Sequence, residues 1–195
     1  MSALASLSTR ERLLRAATDV VEQGGYGAAS VLAVARRSGL ATGTLYRHFS
    51  SKAELLCEHA RDAYERELAA ARGADVPDAG TVERIEAMVL TFAERALRRP
   101  RLAWALIAEP VHPLVDAERL HYRRRYAGLI AELIAEGVAA GELPAQDAEL
   151  MAAALVGGVG EALVGPLSPL AGRPPEVEHI LHSLRAFIRR ALGAP

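Results

Sequence analysis

Residues 30–52, SVLAVARRSGLATGTLYRHFSSK, decide the fold, because they read as two short helices joined by a tight turn and followed at once by the start of another. Ser30 can cap the first helix, and Leu32, Val34 and Ala35 supply its apolar face. Gly39 tolerates the left-handed backbone that lets a chain reverse within about three to four residues. The second helix is expected from about Thr42 to His48. Leu45 and Phe49 stand four apart and point inward, which leaves Thr42, Gly43, Thr44, Tyr46, Arg47 and His48 outside. Short residues at the start of that face let a backbone approach a major groove, and hydroxyls can read base edges there. An ordinary helical corner has the same turn. Ser51-Lys52-Ala53-Glu54 adds something a corner does not need: a capping box, hence a fresh helix N-terminus whose amides, with Lys52, suit a phosphate. The unit is a helix-turn-helix.

The run GTLYRHFSSKAELL, residues 43–56, resembles the signature of TetR-family transcriptional regulators, and the resemblance extends over roughly residues 9–60. It implies that Ser30, Tyr46, His48 and Lys52 hold phosphates, while Thr42, Thr44 and their neighbours Gly43 and Arg47 lie on the helix that reads bases. One position departs from the pattern. The family often has Ser where this chain has Ala41, so either Thr42 takes over the cap or a contribution of about 1 kcal/mol is missing.

The rest of the chain fits an all-α protein. Its 195 residues are 51% hydrophobic and 5% aromatic, and no stretch alternates with period two over a convincing length. Net charge is −1, but residues 1–56 hold seven Lys and Arg against four Asp and Glu, so the excess of positive charge lies with the helix-turn-helix. The single cysteine, Cys57, excludes an internal disulfide, and no charged-then-apolar leader precedes Ser8; a cytoplasmic protein is expected. Leu150–Leu170 approaches membrane-spanning length, yet it contains Glu161, Pro166 and Pro169, which fits a soluble helix followed by a loop rather than a membrane partner.

About nine helices are expected, arranged as a three-helix helix-turn-helix domain over residues 1–50 and a helical bundle for ligand binding and dimerisation over residues 51–195. A first helix runs from about Thr9 to Gln23, ended by Gly24-Gly25, and a fourth, about 51–72, connects the two domains without a linker. Helices follow at about 81–99, 102–108 and 114–140, with Pro100, Pro110 and Pro113 breaking the chain between them. The inward stripe of the long 114–140 helix is expected to include Leu120, Tyr126, Ile130 and Ile134. The last two, about 145–164 and 176–192, carry apolar stripes wider than one small subunit covers, and Gly157, Gly158 and Gly160 permit close helix approach. The family resemblance implies a homodimer through helices 8 and 9, and hence a pseudo-palindromic double-stranded DNA operator.

Between the two ends, Met88, Phe92, Trp104, Tyr122 and Tyr126 could line an apolar cavity, with His121, Arg125 and Glu161 among its polar contacts. Such a lining suits a small hydrophobic or amphipathic effector. If buried, Glu161 requires a partner such as Arg119, or a ligand. Catalytic and cofactor readings find no support: no nucleophile stands beside a base at a meaningful spacing, the glycines of helix 8 lack the Lys-Ser/Thr of a phosphate loop, and His179 and His182 lack a third metal ligand. No enzyme, cofactor or metal is expected. The function that follows is a ligand-responsive repressor; an activator or architectural DNA-binding protein without an effector is the alternative.

Overall fold

The computed structural model describes residues 7–172 and 175–193. Among them nine helices run in order: α1 (Thr9–Ala28), α2 (Val31–Ser38), α3 (Thr42–His48), α4 (Lys52–Ala74), α5 (Thr81–Arg98), α6 (Pro100–Ile107), α7 (Pro113–Ala140), α8 (Ala148–Leu167) and α9 (Val177–Ala191). They divide into two compact units. One takes the chain as far as Ala63 together with Arg99–Arg119; the other takes Tyr64–Arg98 and everything from Leu120 onward. α4 and α7 each leave the first unit partway along their length.

The first unit closes on a core of Leu13, Leu14, Ala17, Val34, Leu45, Phe49 and Leu55, with Val20, Val31 and Leu40 packed at its rim. Full burial of each large aliphatic or aromatic side chain contributes about 1.5–3 kcal/mol, so α1, α2, α3 and the start of α4 hold each other in place. Local caps set the boundaries. Ser8 and Glu11 form a reciprocal capping box on α1, Ser30 accepts from the Ala33 amide on α2, and Gly39 ends α2 at φ 70°. Val34 and Ala35 are buried as expected, but Leu32 is 51% exposed and Val31 completes the inward face in its place, because the helix turns the 31/34/35 stripe toward α1.

α1 does not stop at Gly24-Gly25. It breaks at Gly25, where φ is 75°, and resumes for one further turn to Ala28. The break is held by α6, which belongs to this unit. Arg101 donates to the Gly24 carbonyl at 2.8 Å, Arg99 makes a bidentate pair with Glu22 at 2.7 Å, and the Gly27 amide donates to Glu109 at 3.4 Å. Pro100 stands at the first turn of α6 and so opens that helix, where its missing N–H is no loss.

The second unit is built on the buried faces of α5 and α7. Ile85, Met88 and Val89 of α5 and Ile130, Leu133 and Ile134 of α7 are buried, as are Leu155, Val159 and Leu163 of α8 and Leu184 and Ile188 of α9. Leu120 is 51% exposed, against the inward position expected for it, since the buried stripe of α7 runs through Val115, Tyr122, Tyr126 and Ile130 and passes it by. α9 is anchored on α5 by Arg189, whose Nε meets Glu86 Oε1 at 2.7 Å and whose Nη2 reaches Glu83 at 3.2 Å. α8 is long and apolar enough to cross a membrane by length and composition, yet only 28% of its most apolar window is buried within this chain.

Candidate nucleic-acid interface and effector core

α3 is positioned from below by Leu45 and Phe49, both essentially inaccessible, so its outer face is set by elimination. Thr42, Gly43, Tyr46, Arg47 and His48 are exposed and Thr44 is half-buried. No side chain caps α3: Ala41 is the N-cap, Thr42 is already helical, and the contribution of about 1 kcal/mol that a Ser would supply is absent. The Glu54 amide donates to Ser51 Oγ at 3.1 Å at the start of α4, while the Glu54 carboxylate returns to the Ser50 amide at 2.6 Å and so braces the α3–α4 turn. That bonding with Ser50 holds the Glu54 carboxyl below its ordinary range.

Charge on this unit is sorted by position. Arg10 pairs with Glu58 and lies over the Phe49 ring, Arg12 donates to the Ser38 carbonyl, and Arg37 pairs with Asp19 at 2.8 Å. Arg36, Arg47, His48 and Lys52 are exposed and have no ion pair among the described residues. Uncompensated positive charge therefore sits on α3 and at the α4 N-terminus. A surface of this kind attracts a polyanion.

The second unit holds an aromatic core. The rings of Tyr64 and Tyr122 stack with centroids 4.5 Å apart, Tyr122 and Tyr126 are 5.8 Å apart, and Phe92 is 5.8 Å from Tyr126. The Tyr126 hydroxyl donates to the Met88 carbonyl at 2.9 Å. Burial pushes the Tyr122 and Tyr126 phenols well above their ordinary range, so both stay neutral donors at physiological pH. Met88, Phe92, Tyr122 and Tyr126 are thus brought together.

The remaining residues expected at a pocket lie elsewhere. Trp104 is on α6, in the first unit; His121 is exposed; and Arg125 is tied to Glu65. Glu161 is exposed on α8 and needs no buried partner. Arg119 is engaged by the carbonyls of Leu106 at 2.8 Å and Glu109 at 2.8 Å, where it caps the C-terminal end of α6. Tyr64 was not anticipated. It sits four residues before Leu68 on the inward stripe of α4, and that spacing is the signal that marks it. Among the described residues no group of three His, Cys, Asp or Glu could hold a metal, and His179 and His182 both face outward.

A helix-turn-helix unit with an exposed cationic third helix, joined to an all-helical second unit, defines the class of helical DNA-binding regulators. The profile of the bacterial regulatory proteins of the tetR family matches residues 13–58, and that of the tetracyclin repressor-like C-terminal domain matches residues 78–162. The chain belongs to the TetR family of transcriptional regulators.

It is similar to the transcriptional repressor KstR of Rhodococcus jostii, at 36% identity over 52% of this chain and 47% of the relative. It is also similar to KstR of Mycobacterium tuberculosis, at 33% identity over 71% and 61%. The matches therefore span about half to three fifths of the length of these relatives. Among solved structures, the fatty acid degradation regulator FadR of Bacillus halodurans superimposes with a TM-score of 0.81 at 18% identity, covering 94% of this chain and 95% of its own. FadR of Bacillus subtilis, solved in complex with stearoyl-CoA, does so with 0.74 at 16%, covering 91% and 96%.

Proposed function

We propose that the chain is a cytoplasmic, dimeric transcriptional repressor that binds a pseudo-palindromic operator in double-stranded DNA and is released by a small hydrophobic or amphipathic effector. The observation that carries this is the outer face of α3, where Arg47 and His48 stand without a compensating acid among the described residues, on a helix held rigidly by Leu45 and Phe49. Phosphate contacts fall to Ser30, Tyr46, His48 and Lys52, and base contacts to Thr42, Gly43, Thr44 and Arg47. The similarity to KstR repressors supports the sense of regulation.

Dimerisation is supported by the outer face of α8. Ala154, Gly157, Gly158 and Ala162 form a small apolar stripe that this chain leaves exposed, on a helix of mean hydropathy 1.7. A second copy, packing α8 and α9 against the same helices, covers such a stripe and presents two copies of α3 about 34–36 Å apart, one turn of DNA.

The effector reading rests on the aromatic core of Met88, Phe92, Tyr122 and Tyr126, which offers apolar area with few polar groups. A protein of the same fold, FadR of Bacillus subtilis, is solved in complex with stearoyl-CoA, and an amphipathic ligand of that chemistry suits apolar and aromatic side chains of this kind. Release requires the effector to favour the DNA-incompetent form by a few kcal/mol. Selection of binding sites from random duplex DNA is the direct test. An enriched inverted repeat, bound by a dimer and released by a long-chain acyl-CoA, is the expected result; no enrichment over non-specific binding would overturn the proposal.

A further inference from the structure

Resting on the DNA-reading role proposed above, we infer that Arg47 is the specificity-determining residue of α3 and that it reads a guanine in each half of the operator. The inference starts from one contact. Arg47 Nη2 donates to Thr44 Oγ1 at 3.2 Å, one helical turn back. Helical side chains lean toward the N-terminus, and this bond draws the guanidinium further that way. The N-terminal half of a recognition helix is the half that meets base edges.

The residue four positions before Arg47 is Gly43, and a Cβ built there would meet nothing within 4 Å. Gly43 itself carries no side chain, so the space beside the N-terminal half of this face is left open there. Thr44 accepts from one nitrogen only. The rest of the planar fork is unengaged, since no acid pairs with Arg47 among the described residues.

The other exposed groups on this face do not offer the same pattern. Thr42 carries a single hydroxyl, Tyr46 one phenol and His48 one ring, whereas Arg47 alone carries two parallel N–H donors and no acceptor. In the major groove only guanine presents two acceptors side by side, N7 and O6. Adenine sets a donor next to its N7, which a guanidinium cannot satisfy. The fork on Arg47 and the guanine edge are complementary, and the Thr44 hydroxyl holds the fork in place before contact, as an ordered side chain must be if it is to discriminate.

A phosphate is the competing target for an exposed Arg, and the two make different predictions. A base reader discriminates at one position by roughly ten- to hundredfold, whereas a phosphate clamp weakens all sequences alike and carries about one unit of salt slope. Binding sites are selected from random duplex DNA with the full chain and with Arg47→Ala and Arg47→Gln, and affinity is then measured against salt. Guanine N7 is probed by dimethyl sulfate in each complex.

The expected result is a guanine at one symmetric position with the full chain, protected at N7, and loss of both preference and protection with Arg47→Ala while the other positions persist. Arg47→Gln shifts that position toward adenine, whose edge suits an amide. An unchanged site for Arg47→Ala overturns the inference and leaves the DNA-binding role standing. Uniform weakening with a lower salt slope also overturns it, in favour of a phosphate contact. Failure of the full chain to enrich any site overturns the DNA-reading role together with this inference. Arg47 is exposed, so both variants keep the core that folds the unit.

Discussion

The ring of Tyr122 lies nearly parallel to that of Tyr64, with centroids 4.5 Å apart and an interplanar angle of 12°, and its buried hydroxyl has no hydrogen-bond partner among the described residues. The Glu67 carboxylate is not available to it, being bonded twice to Arg95, at 2.8 and 2.9 Å. An orphaned buried hydroxyl costs about 1–3 kcal/mol, and removing it restores that energy if the ring still packs. Tyr122→Phe is expected to raise the unfolding free energy of the ligand-free protein by about 1 kcal/mol, read by urea denaturation. If the effector accepts from this hydroxyl, the same variant binds it more weakly. A Tyr122→Phe protein less stable than the parent would show that the hydroxyl has a structural partner.

Gly25 meets two constraints at once. Its φ of 75° is strained for any residue with a side chain, and a Cβ there would collide with the Arg101 guanidinium and the Glu109 carboxylate. Gly25→Ala is expected to lower stability by about 2–4 kcal/mol, of which about 1–3 is the extended, positive-φ backbone itself. Differential scanning calorimetry tests this. A melting temperature within a degree of the parent would mean that α1 can straighten through Gly25 at no cost.

These two sites show what could and could not be read without coordinates. The Ser30 cap, the left-handed Gly39 and the inward Leu45 and Phe49 depend on residues within a turn or two, and each is legible as local chemistry. Gly25 is half legible. Its glycine pair announces a break, but the resumption of α1 depends on Arg101, which bonds the Gly24 carbonyl from 77 residues away. The same distance hides the membership of α6 in the first unit, and with it the position of Trp104. Tyr64 and Tyr122 come from different helices, so periodicity can mark each as inward and still leave their stacking unknown. Glu161 misled for another reason: apolar neighbours in sequence suggested burial, whereas the small residues around it form the face that this chain leaves open.

Acid stability should depend on Asp75. Its carboxylate takes two bonds from Arg84, at 2.8 and 2.9 Å, and the Arg84 guanidinium holds its carboxyl below the ordinary range near 3.8. A carboxyl with a lowered folded-state value contributes stability above its unfolded value and loses it as pH falls through the folded one. Glu22 behaves alike, because Arg99 lowers it. Stability should therefore decline as pH drops below about 4. Asp75→Asn should be less stable at pH 7 by at most about 1 kcal/mol, given its partial exposure, and the difference from the parent should vanish toward pH 3. Parallel denaturation curves at every pH would refute this.

Arg189 secures α9 to α5 through Glu86, which is 7% exposed. Removing the guanidinium leaves a buried carboxylate with only the longer contact to Arg185 at 3.7 Å. Arg189→Ala should lower stability, by less than the loss of a fully buried pair because Arg189 is itself partly exposed. Arg189→Ala combined with Glu86→Gln should recover part of the loss, since the uncompensated charge is gone. A double variant no better than the single one would assign the loss to packing of the Arg stem.

Gly157 separates folding from assembly. A Cβ at this position meets nothing within 4 Å in the single chain, and the residue is exposed near the middle of α8. Gly158, by contrast, already lies against Phe187 of α9, where a Cβ would come within 3.1 Å of the ring. Gly157→Leu is therefore expected to fold with a melting temperature equal to or above that of the parent under dilute, monomeric conditions, because glycine is the poorer helix former by roughly 0.5–1 kcal/mol. In a dimer packed through α8 the same leucine keeps the two helices apart. Sedimentation velocity should show dimers for the parent and monomers for Gly157→Leu, with operator affinity falling together with the loss of assembly. A Gly157→Leu protein that remains dimeric and binds the operator normally would place the second copy on some other face.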